Sequence, residues 1–136
     1  MKKARVLIVE NETIIALETE STLNNLGHND TSIINTGDKA IETIEEEKPD
    51  MILMDIRVKG KLDGMELADM IRSKFNIPVI FSIADFDDEK IERAKASMPF
   101  GYVLKPVQEK DLKTAIELGL YVEKVNSERD KTNKQL

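Results

Sequence analysis

The residues best suited to chemistry are four polar side chains that lie at the ends of short apolar runs. They are Glu10, Asn11, Asp55 and Lys105. Two carboxylates and an amide oxygen suit Mg²⁺, which keeps several waters while it engages one or two carboxylates and a phosphate. If the fold brings the four together, we expect a Mg²⁺ site with an ammonium group beside it.

The apolar runs predict the strands of a sheet. Val6 to Val9 and Met51 to Met54 are continuous rather than alternating, which is typical of parallel strands buried on both faces. Weaker strand candidates are Ser32 to Asn35, Val79 to Ser82 and Tyr102 to Leu104. Three of the five predicted strands therefore end at the four polar side chains.

Amphipathic segments after the strands predict five helices. The first covers Glu12 to Leu26 and the last covers Gln108 to about Ser127. Apolar residues at helical spacing mark the other three: Ala40, Ile41 and Ile44; Leu67, Ala68, Ile71 and Phe75; Ile91, Ala94 and Met98. Residues that favour turns or helix ends separate these segments: Gly27, Pro49, Gly64 and Pro99.

This alternation predicts an α/β protein in which a βα unit is repeated five times. Right-handed crossovers with helices on both faces favour a flavodoxin-like, doubly wound sheet of five parallel strands in the order 2-1-3-4-5. In such a sheet, ligands bind at the carboxyl ends of the first and third strands, where the strand order reverses. We therefore expect the polar side chains to meet at one edge of the sheet.

Composition limits the classes of function. The 136-residue chain has a net charge of −6, which argues against direct binding to nucleic acid or to a membrane surface, because both favour a basic face. It has no cysteine, and its apolar runs are far too short to span a membrane. We expect one domain in the cytoplasm.

Four segments together carry a resemblance to a known family. They read VLIVENE, MILMDIRVKGKLDGMELA, VIFSIA and GYVLKP, in that order. With this spacing the chain resembles the receiver domain of two-component response regulators over residues 1–125. Residues 126–136 are polar, and we interpret them as a helix extension or a linker.

The resemblance implies a role for each polar residue. Asp55 would accept a phosphoryl group from a sensor histidine kinase or a phosphotransfer protein. Glu10 would hold Mg²⁺ through water, while Asn11, Asp55 and the backbone carbonyl of Arg57 would be direct ligands. Lys105 would contact the phosphoryl group, and its bond to Pro106 would be cis. The chain would be a phosphoacceptor rather than an enzyme, with at most slow autodephosphorylation.

The resemblance also identifies a switch, and here the sequence departs from the family. Tyr102 matches the aromatic switch position, and Ala84 matches the small residue whose amide approaches the phosphoryl group. Ile83 stands where the family has Thr or Ser, so it cannot donate a hydrogen bond. Asn11 stands where most receivers have Asp, so we expect weaker Mg²⁺ binding. Ser82 lies one residue before Ile83 and, on an extended strand, points to the opposite face.

Other functions stay open on the sequence. A degenerate receiver could keep the fold and act as a phosphorylation-independent interaction module. A flavodoxin-like electron carrier would need a phosphate-binding loop after the first strand, where the sequence has acidic residues instead. A phosphohydrolase would leave Tyr102 and the Lys105-Pro106 pair unexplained.

Output is expected to depend on protein contacts. The candidates are a downstream protein, a domain absent from this chain, or a homodimer through the fourth predicted helix, the last strand and the last helix. Leu118, Leu120 and Tyr121 widen the apolar face of that last helix. The single histidine, His28, follows Gly27 in a turn, and we expect it at the surface.

Overall fold

The computed structural model describes residues 3–84, 92 and 101–135, with side chains as far as Val122 and at Lys124. The strands are β1 (Arg5–Val9), β2 (Asp30–Ile34), β3 (Met51–Asp55), β4 (Val79–Ala84) and β5 (Gly101–Lys105). The helices are α1 (Thr13–Asn25), α2 (Ala40–Glu47), α3 (Gly64–Phe75) and a C-terminal helix (Glu109–Gln135), with a 3₁₀ turn at Gly37–Lys39. The predicted helix at Ile91, Ala94 and Met98 lies outside the described residues, apart from Glu92.

The five strands form one parallel sheet in the order β2-β1-β3-β4-β5. This confirms the predicted flavodoxin-like, doubly wound arrangement. The predicted bounds of β2 are wrong by one or two residues, since the strand begins at Asp30 and ends at Ile34. All five residues of β3 are buried, as expected for a central strand with helices on both faces.

The end of α1 and the start of α3 depend on particular residues. Gly27 follows α1 with a φ of +97°, a conformation that costs glycine little. Asp63 caps α3, because its side chain accepts from the Glu66 N–H at 2.8 Å. The Glu66 side chain in turn accepts from the Asp63 N–H at 3.1 Å. A Cβ on Gly64 would lie 2.7 Å from the Ile56 carbonyl oxygen, so only glycine fits without a backbone shift.

Two apolar layers cover the two faces of the sheet. Leu7, Ile52, Met54, Phe81 and Ile83 are among the strand residues that pack against α2 and α3. Alternate strand residues pack on the other side against α1 and the C-terminal helix: Val6, Ile8, Met51, Leu53, Ile80 and Val103. Burial of these faces drives folding, at roughly 25 cal/mol for each Å² of apolar surface removed from water.

The surface position expected for His28 is wrong. The imidazole is 1% exposed, and its Nδ1 accepts a hydrogen bond from the Ala4 N–H at 2.9 Å. Nε2 is buried without a hydrogen-bond partner among the described residues. Burial lowers the pKa of His28, although the charge of Glu117 opposes the shift. The neutral ring therefore packs between the start of β1 and the turn after α1.

The last helix is longer than the pattern of apolar residues predicts. It continues beyond Ser127 to Gln135. No helix in the described part of the chain combines the length and the hydrophobicity needed to cross a membrane.

Candidate functional site

The ends of β1, β3 and β5 bring three of the predicted residues into direct contact. Lys105 Nζ lies 3.0 Å from Glu10 Oε1 and 3.1 Å from Asp55 Oδ2. Glu10 is 3% exposed and Asp55 is 6% exposed, so both carboxylates are nearly removed from water. One ammonium group thus pairs with two buried carboxylates at the carboxyl edge of the sheet.

The two carboxylates hold the Lys105 ammonium in its charged form. Burial alone would lower the pKa of Lys105, but its hydrogen bond to Glu10 and the charge of Asp55 outweigh burial and raise that pKa. The lysine therefore keeps its proton. Because charge-assisted pairs in a partly buried site are strong, the contact also fixes the position of the lysine side chain.

Burial makes Glu10 harder to ionise than an exposed glutamate. Burial raises its pKa, the hydrogen bond from Lys105 opposes the rise, and the nearby Asp55 adds to it. Its second oxygen, Oε2, accepts from the backbone N–H of Glu12 at 3.2 Å. One oxygen of Glu10 is therefore held by Lys105 at the end of β5, and the other by the backbone just before α1.

Asp55 is held at the end of β3 by the turn that follows it. Its Oδ1 accepts from the Arg57 N–H at 3.0 Å, and its carbonyl accepts from the Val58 N–H at 3.0 Å. With Lys105 on Oδ2, each carboxylate oxygen has one donor from the described part of the chain. Each oxygen keeps lone-pair capacity for a further ligand.

Asn11 adds an oxygen that the protein itself does not satisfy. Its Oδ1 is buried and has no hydrogen-bond partner among the described residues. A buried polar atom without a partner is costly unless something else binds it. The Asn11 amide oxygen, the carboxylates of Glu10 and Asp55 and the carbonyl of Arg57 are all oxygen donors of the kind that a hard cation such as Mg²⁺ binds. Within the described residues, no three Asp, Glu, His or Cys side chains are arranged so that they alone could hold a metal ion.

The predicted switch residues, two on β4 and one on β5, lie in different surroundings. Ile83 is fully buried on the face that packs against α2 and α3. Tyr102 is 52% exposed, with its ring at the surface. Ala84 ends β4, in register with Lys105. The apolar burial of Ile83 explains why this position carries no hydroxyl in contact with the site.

The loop after β3 is fixed by contacts that we did not predict. The Gly37 N–H donates to the Lys59 carbonyl at 2.7 Å, and the Lys61 N–H donates to Asp38 Oδ1 at 2.9 Å. These bonds join the loop to the turn before α2. Their residues are polar or small and far apart in sequence, and no local pattern indicated the pairing.

A cavity of about 410 Å³ adjoins the site on the α1 side. Thr19 and Thr22 of α1 line one wall, and Ala84, Lys105 and Pro106 contribute to the other. The peptide bond between Lys105 and Pro106 is cis. The site is therefore bordered by a recess between α1 and the residues that follow β5.

Comparison of the sequence with known proteins finds a matching family and similar relatives. The family model for the response regulator receiver domain matches residues 6–117. The transcriptional regulatory protein PdtaR of Mycobacterium tuberculosis is 33% identical over 116 residues, which cover 85% of this chain and 56% of PdtaR. The phyllosphere-induced regulator PhyR of Methylorubrum extorquens is 28% identical over 129 residues, which cover 94% and 48%. The chain spans about half the length of these relatives.

Solved structures show the same likeness. The signal receiver domain of a modulated diguanylate cyclase from Desulfovibrio desulfuricans matches with a TM-score of 0.84 and 34% identity, over 92% of this chain and 99% of that one. The N-terminal domain of a response regulator/sensory box/GGDEF protein from Carboxydothermus hydrogenoformans matches with a TM-score of 0.79 and 32% identity, over 93% and 99%. In both cases the match is to a receiver-like domain rather than to a whole multidomain protein.

Proposed function

The chain belongs to the response regulator receiver family, and on that premise we propose that Asp55 accepts a phosphoryl group from the phosphohistidine of a sensor kinase or phosphotransfer protein. The observation that carries the proposal is the contact of one ammonium group, that of Lys105, with both Asp55 and Glu10. Receiver domains are signalling domains rather than classical enzymes. We accordingly assign this chain no reaction beyond phosphoryl acceptance and slow loss of the phosphoryl group to water.

In the proposed transfer, Asp55 is the nucleophile. A carboxylate oxygen attacks phosphorus, a P–O bond to Asp55 forms, and the P–N bond to the donor histidine breaks with its electron pair left on the imidazole. Lys105 turns from Asp55 Oδ2 towards the phosphoryl oxygens, where its charge offsets theirs. The Arg57 N–H keeps its hold on Oδ1 and orients the carboxyl group.

Receiver domains generally bind Mg²⁺, and the oxygen donors of this site support the same proposal here. Asn11 Oδ1, Asp55 and the carbonyl of Arg57 would hold the ion directly, and Glu10 would hold it through water. When bound, the ion supplies positive charge beside the phosphoryl oxygens. Because Asn11 carries no charge, we expect the site to attract Mg²⁺ less strongly than a site with a third carboxylate.

Output is proposed to pass through a surface that includes β5 and the C-terminal helix. Its exposed apolar side chains are Tyr102, Leu104, Leu118, Tyr121 and Val122. Exposed apolar side chains that cluster on a surface are typical of protein contacts, which makes these five candidates for such a contact. The proposed partner is a downstream protein, a domain that lies outside this chain, or a second copy, in the cytoplasm and without direct contact to nucleic acid or membrane.

A second candidate is a receiver that binds partners whether or not it is phosphorylated. The observation that favours it is the burial of Ile83, which is 0% exposed in an apolar cluster. With no hydroxyl there to follow the phosphoryl group, phosphorylation of Asp55 has a weaker means of moving Tyr102. In that case Asp55 would accept the phosphoryl group slowly or not at all.

Intact-mass measurement separates the two candidates. The chain is incubated with Mg²⁺ and acetyl phosphate, alongside Asp55→Asn and the exposed control Asp69→Asn. Phosphoacceptance predicts the addition of one phosphoryl group to the wild type and to Asp69→Asn, and none to Asp55→Asn. No addition to the wild type at high donor concentration would favour the constitutive interaction module.

A further inference from the structure

A hydroxyl group lies on the Asp55 side of the sheet, one residue away from the position where the family carries it. Asp55 is in register with Ser82 on the adjacent parallel strand. Side chains in register on neighbouring parallel strands project to the same face, about 4.8 Å apart at the backbone. Ser82 is therefore the β4 side chain beside Asp55.

The packing of neighbouring strand residues shows independently which face of the sheet Ser82 occupies. Ile83 packs against α2 and α3, whereas Ile80 belongs to the layer formed with α1 and the C-terminal helix. Alternation along β4 places Ser82 on the same face as Ile80. Met51 and Leu53 place Asp55 on that face by the same alternation along β3. The hydroxyl thus lies on the side where Lys105 meets the two carboxylates.

The Ser82 side chain is buried, and its hydroxyl is uncommitted. The residue is 5% exposed, and its backbone carbonyl accepts from the Ile56 N–H at 3.1 Å. Within the part of the chain that the structure describes, no hydrogen bond is made by the hydroxyl. A hydroxyl that makes no other hydrogen bond is able to donate to a neighbouring acceptor that loses its own donor.

Phosphorylation would remove a donor from the Asp55 carboxyl group. In the structure, Asp55 Oδ2 receives its hydrogen bond from Lys105. Under the proposed function, Lys105 turns to the phosphoryl oxygens, and Oδ2 loses that donor. Ser82 is then placed to supply another from the adjacent strand.

We propose that the Ser82 hydroxyl donates to the Asp55 carboxyl group while the acyl phosphate is hydrolysed, and so shortens the life of the phosphorylated state. This inference rests on the proposed function. In the step, the oxygen of water attacks phosphorus and the P–O bond to Asp55 breaks. The electron pair returns to the carboxyl oxygen, which leaves as a carboxylate, and the released orthophosphate carries both hydrogens of the water.

Whether the Ser82 hydroxyl speeds or slows hydrolysis depends on where negative charge develops during the reaction. The carboxyl group is uncharged in the acyl phosphate and becomes a carboxylate as the bond breaks. A hydrogen bond to a charged acceptor is stronger than one to a neutral acceptor, so the hydroxyl stabilises the transition state more than the ground state. Ser82 therefore acts as a catalytic residue for discharge.

The test measures the half-life of the phosphorylated chain by intact mass after the donor is removed, with Mg²⁺ kept constant. Ser82→Ala is compared with Ser82→Thr, which keeps the hydroxyl, and with Ile83→Val, which trims the opposite face. We expect Ser82→Ala to lengthen the half-life about fivefold, the net effect of one hydrogen bond. Ser82→Thr should stay near the wild-type half-life, and so should Ile83→Val. Thermal unfolding of each variant checks that the fold is retained.

The outcomes are distinct. If the wild type and Ser82→Ala are both phosphorylated and lose the group within twofold of the same rate, or if Ser82→Ala loses it faster, the role of Ser82 is overturned and the proposed function stands. A longer half-life in both Ser82→Ala and Ser82→Thr overturns the role of the hydroxyl. If the wild type takes up no phosphoryl group, the proposed function fails, and this inference fails with it.

Discussion

The Lys105 ammonium lies 3.1 Å from Asp55 Oδ2 and makes a second, equally short contact with Glu10. A single positive charge thereby balances two buried carboxylates at the end of the sheet. Any phosphoryl group or Mg²⁺ ion that enters the site adds to this cluster, and Lys105 is the member with a long enough side chain to move. The predictions below follow from that arrangement and from the packing around it.

Replacement of Lys105 with Met should destabilise the protein and make it more dependent on Mg²⁺. The two carboxylates would lose their shared partner, at a cost of roughly 2 kcal/mol because the lysine is partly exposed. Mg²⁺ could replace the missing charge. We therefore expect a lower Tm without Mg²⁺ and a larger rise in Tm on its addition than in the wild type.

Lys113→Met is the matched control for that experiment, since Lys113 is exposed on the C-terminal helix. It should show the wild-type response to Mg²⁺. An equal Mg²⁺-induced rise in Tm for Lys105→Met and the wild type would contradict the account of the charge cluster.

Asn11→Asp should tighten Mg²⁺ binding, because it adds a carboxylate where a buried amide oxygen has no partner among the described residues. We expect the Kd for Mg²⁺ to fall about tenfold, as an added anionic ligand does for hard cations. Titration calorimetry provides the measurement. Asn25→Asp adds the same charge at the end of α1 and should leave the Kd unchanged. A Kd for Asn11→Asp equal to that of the wild type would show that Asn11 does not face the ion.

His28 should make the folded state sensitive to acid. Burial lowers its pKa in the folded protein, so the folded state favours the neutral ring and the unfolded chain binds the proton more readily. His28 makes its full contribution to the free energy of unfolding above the pKa of an unfolded histidine, about 6.5. This contribution declines as the pH falls below that value, and it levels off once the pH is below the pKa of His28 in the folded protein. Protonation of Nδ1 would also remove the acceptor for the Ala4 N–H.

Urea unfolding at a series of pH values tests the role of His28. His28→Asn keeps an acceptor for the Ala4 N–H but does not titrate, so its free energy of unfolding should depend less on pH between 5 and 7, a window set by the ordinary histidine pKa of about 6.5. The same pH dependence in the wild type and in His28→Asn would rule out His28 as its source.

Ile83→Thr should destabilise the fold more than Ile83→Val does. Both variants remove a methyl group from a fully buried apolar cluster, and only threonine also buries a hydroxyl there. We expect about 1 kcal/mol for valine and roughly 1 to 2 kcal/mol more for threonine. Equal free energies of unfolding for the two variants would mean that position 83 offers a hydrogen-bond partner, contrary to its packing against α2 and α3.

Much of the fold could be predicted from the sequence because strand burial leaves a strong local signal. Continuous apolar runs marked β1 and β3, and Gly27 and Gly64 marked helix ends. The signal was weaker for β2, whose partly buried residues include Asp30 and Thr31, and its bounds were missed.

The site was predictable only in part, since some of its geometry depends on contacts between distant residues. The contact of Lys105 with Asp55 and Glu10 follows from strand order. The placement of Ser82 beside Asp55 depends on the register of β3 with β4, which no local pattern reports. The burial of His28 depends on a bond to Ala4, 24 residues away in the chain.

Reduction of the phosphorylated chain with borohydride, followed by peptide mass spectrometry, tests the central claim most directly. Borohydride converts an aspartyl phosphate to homoserine and leaves a free aspartate unchanged. The account predicts homoserine at Asp55 and at no other aspartate after incubation with Mg²⁺ and acetyl phosphate. Homoserine at a different aspartate, or its absence from a chain that has gained a phosphoryl group, would contradict the assignment of Asp55.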